Sequence, residues 1–166
     1  MHPEIDEDSE AANDEDSRND EAGNILFLDP IVPRKINLTE YWPSLQLLSR
    51  LKTVFIDRGD PLLKVFHIPT FWDSLTGALE SPRQTSKGLE AAMLAWCFAT
   101  VSILEDGECV SLLGAERRQL FSHFRIATQR ALAKAGFLHT SDLDTLRAYM
   151  CYLVRRKTCA ATHSID

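Results

Sequence analysis

Lys87-Gly-Leu-Glu-Ala-Ala-Met-Leu-Ala-Trp-Cys-Phe-Ala-Thr-Val-Ser-Ile-Leu104 decides the fold of this 166-residue chain. From Ala91 to Leu104 nearly every position is apolar, so no face of a helix built from it could be turned to water. Such a helix belongs in a protein core or in lipid. With Thr100 and Ser102 included, this run is too short to cross a hydrocarbon layer about 30 Å thick. Ser86 stands where an N-cap is needed, and Glu90 lies close to the first turn, where the helix dipole favours an acid. The stretch therefore predicts a buried central helix, with Met93, Trp96 and Phe98 as core residues.

Working outward, the same 3.6-residue period recurs on both sides. Leu45, Leu48, Leu51 and Phe55 make an apolar stripe on a helix expected over 42–58, with Pro43 in its first turn and Gly59 ending it. A short turn around Leu62 to Phe66 follows, then a helix from Thr70 to about Leu79 and turn chemistry through Glu80–Ser86. Beyond the central helix, Glu105–Glu108 reads as a turn. A longer helix then starts at Leu112 or Gly114 and ends at Ala135 before Gly136, with Leu120, Phe124, Ala127, Ala131 and Ala135 inward and Arg118, Arg125, Gln129 and Lys134 outward. The last helix is expected over 143–157, started by Ser141 with Asp144 and striped by Leu143, Leu146, Met150 and Leu153. No segment alternates with the period of a half-buried strand for more than a few residues. The fold class is all-α, five or six helices packed as antiparallel hairpins.

Charge divides the chain. Residues 1–21 hold ten acids and one Arg, a net of −9, while the whole chain is −6, so residues 22–166 carry +3. Met1 to about Gly23 lacks the apolar content to offset chain entropy and is expected to be a disordered acidic tail. It is a solubilising segment or, with Ile25-Leu-Phe-Leu28 behind it, an activating one. An extended linker over 24–41, a helical domain over 42–157 and an irregular tail over 158–166 complete the organisation.

Motifs that carry chemistry are missing. Nucleophile elbows, phosphate loops, dinucleotide fingerprints and His-Glu-x-x-His helices are absent, and seven scattered glycines build no phosphate cradle. Cys97, Cys109, Cys151 and Cys159 have no metal-ligand spacing, and Cys97 and Cys151 read as small apolar residues within helices. His123 stands apart from any metal or relay pattern. No catalytic, cofactor or metal residues are expected. The N-terminus has no cationic stretch followed by an apolar run, so neither a signal nor a transit peptide is expected, which leaves nucleus or cytoplasm, with no membrane partner.

One segment carries a family resemblance. Asp60-Pro-Leu-Leu-Lys-Val-Phe-His-Ile-Pro-Thr-Phe-Trp72 reads as a helix-to-helix corner: Pro61 suits a first helical turn, Pro69 pushes Ile68 into extended backbone, and Thr70 caps the next helix with Asp73 three residues on. A lone His67 reads as a brace of that corner. Together with Pro43–Leu48, Phe55–Asp60 and Ala91–Cys97, the segment resembles the opening of the regulatory domain, or middle homology region, of fungal zinc-cluster transcription factors. The resemblance implies an all-helical domain in the nucleus that modulates transcription through protein partners of the transcription machinery or related regulators, with a small-molecule inducer possible. Asp60, Pro61, His67, Pro69, Thr70 and Phe71 match the signature as structural positions, and the family supplies no catalytic residues to carry over. The six-cysteine module that binds zinc and reads DNA in that family has no match here, so zinc is implied only for that module and no specific DNA binding is expected of this chain. The family domain is longer than this one. The chain is accordingly expected to be truncated, to leave a helix such as 87–104 short of covering layers, and to be only marginally stable.

Overall fold

The computed structural model describes residues 37–61 and 63–161, with side chains as far as Val154. The acidic tail and most of the linker expected at the N-terminus lie outside the described residues. Six α-helices follow in order: α1 (Leu45–Val54), α2 (Ile68–Glu80), α3 (Lys87–Ile103), α4 (Asp106–Leu113), α5 (Arg117–Lys134) and α6 (Leu143–Ala161). No strand occurs among the described residues, and the fold is all-α.

The centre is α3, as its composition requires. Every residue from Glu90 to Val101 is buried, and the Ser86 hydroxyl accepts a hydrogen bond from the Leu89 amide at 3.1 Å to cap its start. Burial of large side chains such as Trp96, Phe98 and Met93 contributes about 1.5–3 kcal/mol each. The expectation that this helix would lack cover is overturned: α1, α2, α5 and α6 all pack on it. Chain directions follow from the contacts. Glu90 meets Lys134 and Phe98 meets Phe121, so α3 and α5 are antiparallel. Gln129 meets Tyr152 and Phe137 meets Tyr149, so α5 and α6 are antiparallel as well. Consequently α3 and α6 run the same way, with Gly88 beside Thr145 at one end and Phe98 beside Tyr152 further along.

Several boundaries differ from the sequence expectation, each for a local reason. Residues 38–41 of the expected linker form a single 3-10 turn, because the Asn37 side chain accepts from the Thr39 amide and hydroxyl. Ser44 caps α1 and leaves Pro43 outside it, and Leu45 is exposed rather than part of the buried stripe. The helix continues beyond Val54 as a π-type turn, Phe55–Gly59. Gly59 is needed there for space, since a Cβ would stand 2.6 Å from the Phe55 ring. Glu105–Glu108 is the start of α4 rather than a turn, with the Glu108 carboxylate reaching back to the Glu105 amide at 3.0 Å. That helix takes Leu112, ends at Gly114 in a left-handed conformation (φ 74°), and so delays α5 to Arg117.

The largest correction concerns α6. Leu143, Leu146 and Met150 point away from the core, and the buried face is Thr145, Ala148, Cys151 and Tyr152. At its start α6 approaches α3 closely: a Cβ on Gly88 would lie 2.9 Å from the Thr145 hydroxyl. Small residues admit that close approach and leucines do not. The cap is Asp142, which accepts from the Thr145 amide and hydroxyl, rather than Ser141. At its other end α6 runs on to Ala161, past the expected end at Lys157 and into the stretch expected to be irregular. Residues 162–166 lie outside the described residues.

Candidate functional site

The signature corner is built around aromatic packing. Asp60 closes the π-type turn by donating its amide to the Phe55 carbonyl at 2.7 Å, and Pro61 is exposed in the turn that follows. His67 takes the N-cap position of α2 in extended backbone, which puts Ile68 and Pro69 in the first turn and displaces Thr70 from the capping role. Proline is tolerated there because its missing N–H has no partner in any case. The His67 ring nitrogen Nδ1 and the Thr70 hydroxyl lie 2.9 Å apart, and both side chains are exposed. Phe71 points inward, stacked on Phe66 at 4.2 Å between centroids and edge-on to Trp96 at 6.1 Å. Phe55 completes the cluster against Trp96 at 5.4 Å. Of the six signature residues the corner thus buries Phe71, while the exposed pair His67 and Thr70 ties down the loop entering α2.

A second constellation was not singled out as a site by the sequence. Glu90, 4% exposed, sits in the first turns of α3 and has a partner on each carboxylate oxygen. The Trp42 indole N–H donates to Oε1 at 3.1 Å, and Lys134 Nζ donates to Oε2 at 2.7 Å. A carboxylate buried among apolar neighbours costs several kcal/mol unless it is paired in this way. The neighbouring Tyr41 is held in parallel: its carbonyl accepts from His123 Nε2 at 3.2 Å, and Arg130 donates to its hydroxyl at 2.5 Å. Leu38, 1% exposed, anchors the front of the same segment. The outcome is a polar clamp that fastens residues 38–42 to α3 and α5.

Over this clamp opens a cleft of about 770 Å³, bounded by residues 37–42, the loop after α2 and the ends of α3 and α5. Its cations are Arg83, Lys87 and Lys134, and its acids are Glu80 and Glu90. Lys134 already neutralises Glu90, so the open part of the cleft is weakly cationic. The only sequence signal for the clamp was an acid between Leu89 and Ala91 at the threshold of an apolar helix. Its partners lie 48 and 44 residues away, and nothing in their own neighbourhoods marks them. Of the four α5 residues expected to face water, Arg118, Arg125 and Lys134 are exposed, Lys134 also reaching Glu90, while Gln129 is half-buried and turned to Tyr152.

Among the described residues, no group of three or more His, Cys, Asp or Glu side chains is placed to hold a metal ion. Cys97 and Cys109 are buried thiols outside any disulfide, and burial pushes both up from the ordinary thiol range. A protonated thiol in an apolar setting is a poor nucleophile and a poor metal ligand. The zinc that the resembled family implies therefore has no fitting donor set in the described part of the chain. No helix there is long and apolar enough to cross a membrane.

Comparison with known proteins adds a lineage. The chain is 34% identical over 132 residues to the transcriptional regulator AacuB of Aspergillus aculeatus, covering 79% of this chain and 18% of that protein. It is 34% identical over 158 residues to the pyriculol/pyriculariol biosynthesis cluster transcription factor 1 of Pyricularia oryzae, covering 90% of this chain and 20% of that protein. A C6 finger domain transcription factor of Aspergillus niger is 29% identical over 111 residues, 66% of this chain and 14% of its own length. The matched part is thus a fifth or less of each of these relatives. No family model matches the chain. No solved structure matches it.

Proposed function

The chain is a homologue of fungal C6-finger transcription factors over a segment of about a fifth of their length, and from that premise we propose that it serves transcription as a non-catalytic regulatory domain acting through protein contacts. The observation that carries the proposal is the agreement of three regulators, each matched over most of this chain. The described residues suit such a role. They make a helical body in which the buried carboxylate, Glu90, is spent on fastening residues 38–42 to α3 and α5.

Action through DNA contact is not what this segment suggests. Its cations are dispersed: Arg118 and Arg125 are exposed on α5, while Arg58, Lys134 and Arg147 are each engaged with an acid. Phosphate binding draws its affinity from clustered cations. Partners are therefore read as proteins of the transcription machinery or other regulators, and the place of action as the nucleus. A second reading rests on the cleft over Glu90, whose size falls within the range of small-molecule sites. An inducer bound there would touch the clamp on residues 38–42. Transcript profiling of the host with and without the gene is the test. A defined set of transcripts that changes on deletion and returns on complementation is expected, and an unchanged profile would overturn the proposal.

A further inference from the structure

The two sides of α6 are unlike. Thr145, Ala148, Cys151 and Tyr152 are buried, whereas Leu143, Leu146 and Met150 are 57%, 39% and 54% exposed. Their spacing of three and then four residues sets them along one face of the helix, the spacing of a two-stranded helical seam. One flank of that seam carries Asp144 and Arg147, an ion pair at 3.1 Å whose side chains are each about one-third exposed. An apolar seam with an acid and a base on the same flank is complementary to itself.

We propose that this face of α6 pairs with the same face of a second copy of the chain, antiparallel about a two-fold axis. In a contact of this symmetry each residue meets the surface that its own equivalent offers in return. Antiparallel alignment brings like flanks together, so Asp144 of one copy comes beside Arg147 of the other and the reverse pair forms at the same time. The opposed helix dipoles also favour that direction. The charge order on the flank is what selects a second copy as the occupant, because an unrelated apolar helix would have no reason to match it. Three apolar side chains and their margins cover on the order of 600–800 Å² in a pair, below the roughly 1,200 Å² where stable interfaces begin. The pairing is therefore weak and depends on concentration.

Sedimentation velocity on the full chain, from about 5 to about 500 µM, reads this directly. The expected result is a monomer at the low end and a weight-average mass approaching two chains at the high end. Leu146→Glu and, separately, Met150→Glu should hold the chain monomeric throughout while the helical circular dichroism stays unchanged, since both side chains lie on the surface. Mixing an Asp144→Arg chain with an Arg147→Glu chain should give association at least roughly threefold stronger than either chain shows alone. A monomer across the whole range, or a dimer that survives both glutamate substitutions, overturns the proposal. Mixed charge variants with no preference for each other overturn the antiparallel register.

Discussion

Gly88 and Gly77 have the same side chain, none at all, and opposite reasons for it. A Cβ on Gly88 would collide with the Asp142 carboxylate and fall 2.9 Å from the Thr145 hydroxyl, whereas one on Gly77 would meet nothing within 4 Å. Gly88→Ala should therefore push the start of α6 off α3 and lower stability by about 1–3 kcal/mol. Gly77→Ala, in the exposed interior of α2, should raise it by about 0.5–1 kcal/mol. Denaturant titration of the two variants against wild type checks both signs. At Glu90 the carboxylate serves two donors, so Glu90→Ala should cost about 1–2 kcal/mol, part of it from the N–H of the half-buried Trp42 left without its acceptor. Glu90→Gln keeps an acceptor for Trp42 and should cost less, because Lys134 is partly exposed and can turn to water. Chemical denaturation followed by Trp fluorescence separates the two. The burial of Glu90 could not be read from sequence, because an acid near a helix start is satisfied equally well by the helix dipole and solvent.

Among the elements, α3 and α6 show what periodicity reveals and what it hides. An uninterrupted apolar run leaves a helix nowhere to go but the centre, so α3 was legible, with its Ser86 cap, to within a residue. For α6 the largest apolar residues marked the wrong face, because burial there is decided by how closely the partner helix approaches, and that distance is absent from a pattern of hydrophobicity. The corner at Asp60–Trp72 was legible as a corner, but its helix starts at Ile68, since Pro69 is as acceptable in the second helical position as before it. Asp142→Ala should destabilise the chain by about 1 kcal/mol at neutral pH. The Thr145 hydroxyl and amide hold the Asp142 carboxyl below the usual carboxylate range. A depressed folded value means that the contribution is present above the ordinary carboxylate pKa and fades as pH falls through the lowered one. Melting curves of wild type and Asp142→Ala should therefore be well separated at pH 7 and converge as the pH is taken down through the acid range. A gap that stays constant to the lowest pH would show that the charge of Asp142 plays no part.

For the molecule as a whole, the described helices form a body in which α3 is covered on several sides and apolar exposure is concentrated elsewhere, on α6 and at the single residues Leu45, Ile56, Val110, Leu112 and Leu138. The reading of an all-helical regulatory segment followed from the sequence, through the signature residues and the absence of strand periodicity, and the relatives agree with it. The clamp of residues 38–42 to α3 and α5 did not follow, because it is assembled from side chains that meet only after the helices have packed. The central claim is that this helical body alters transcription through the proteins it contacts. Its most direct test is to fuse the chain to an unrelated DNA-binding domain and measure a reporter in fungal nuclei, with a core-disrupted Ala92→Asp chain as the control. The intact chain should change reporter output in either direction by more than about twofold, and the control should not. Equal output from the two at matched protein levels would contradict it.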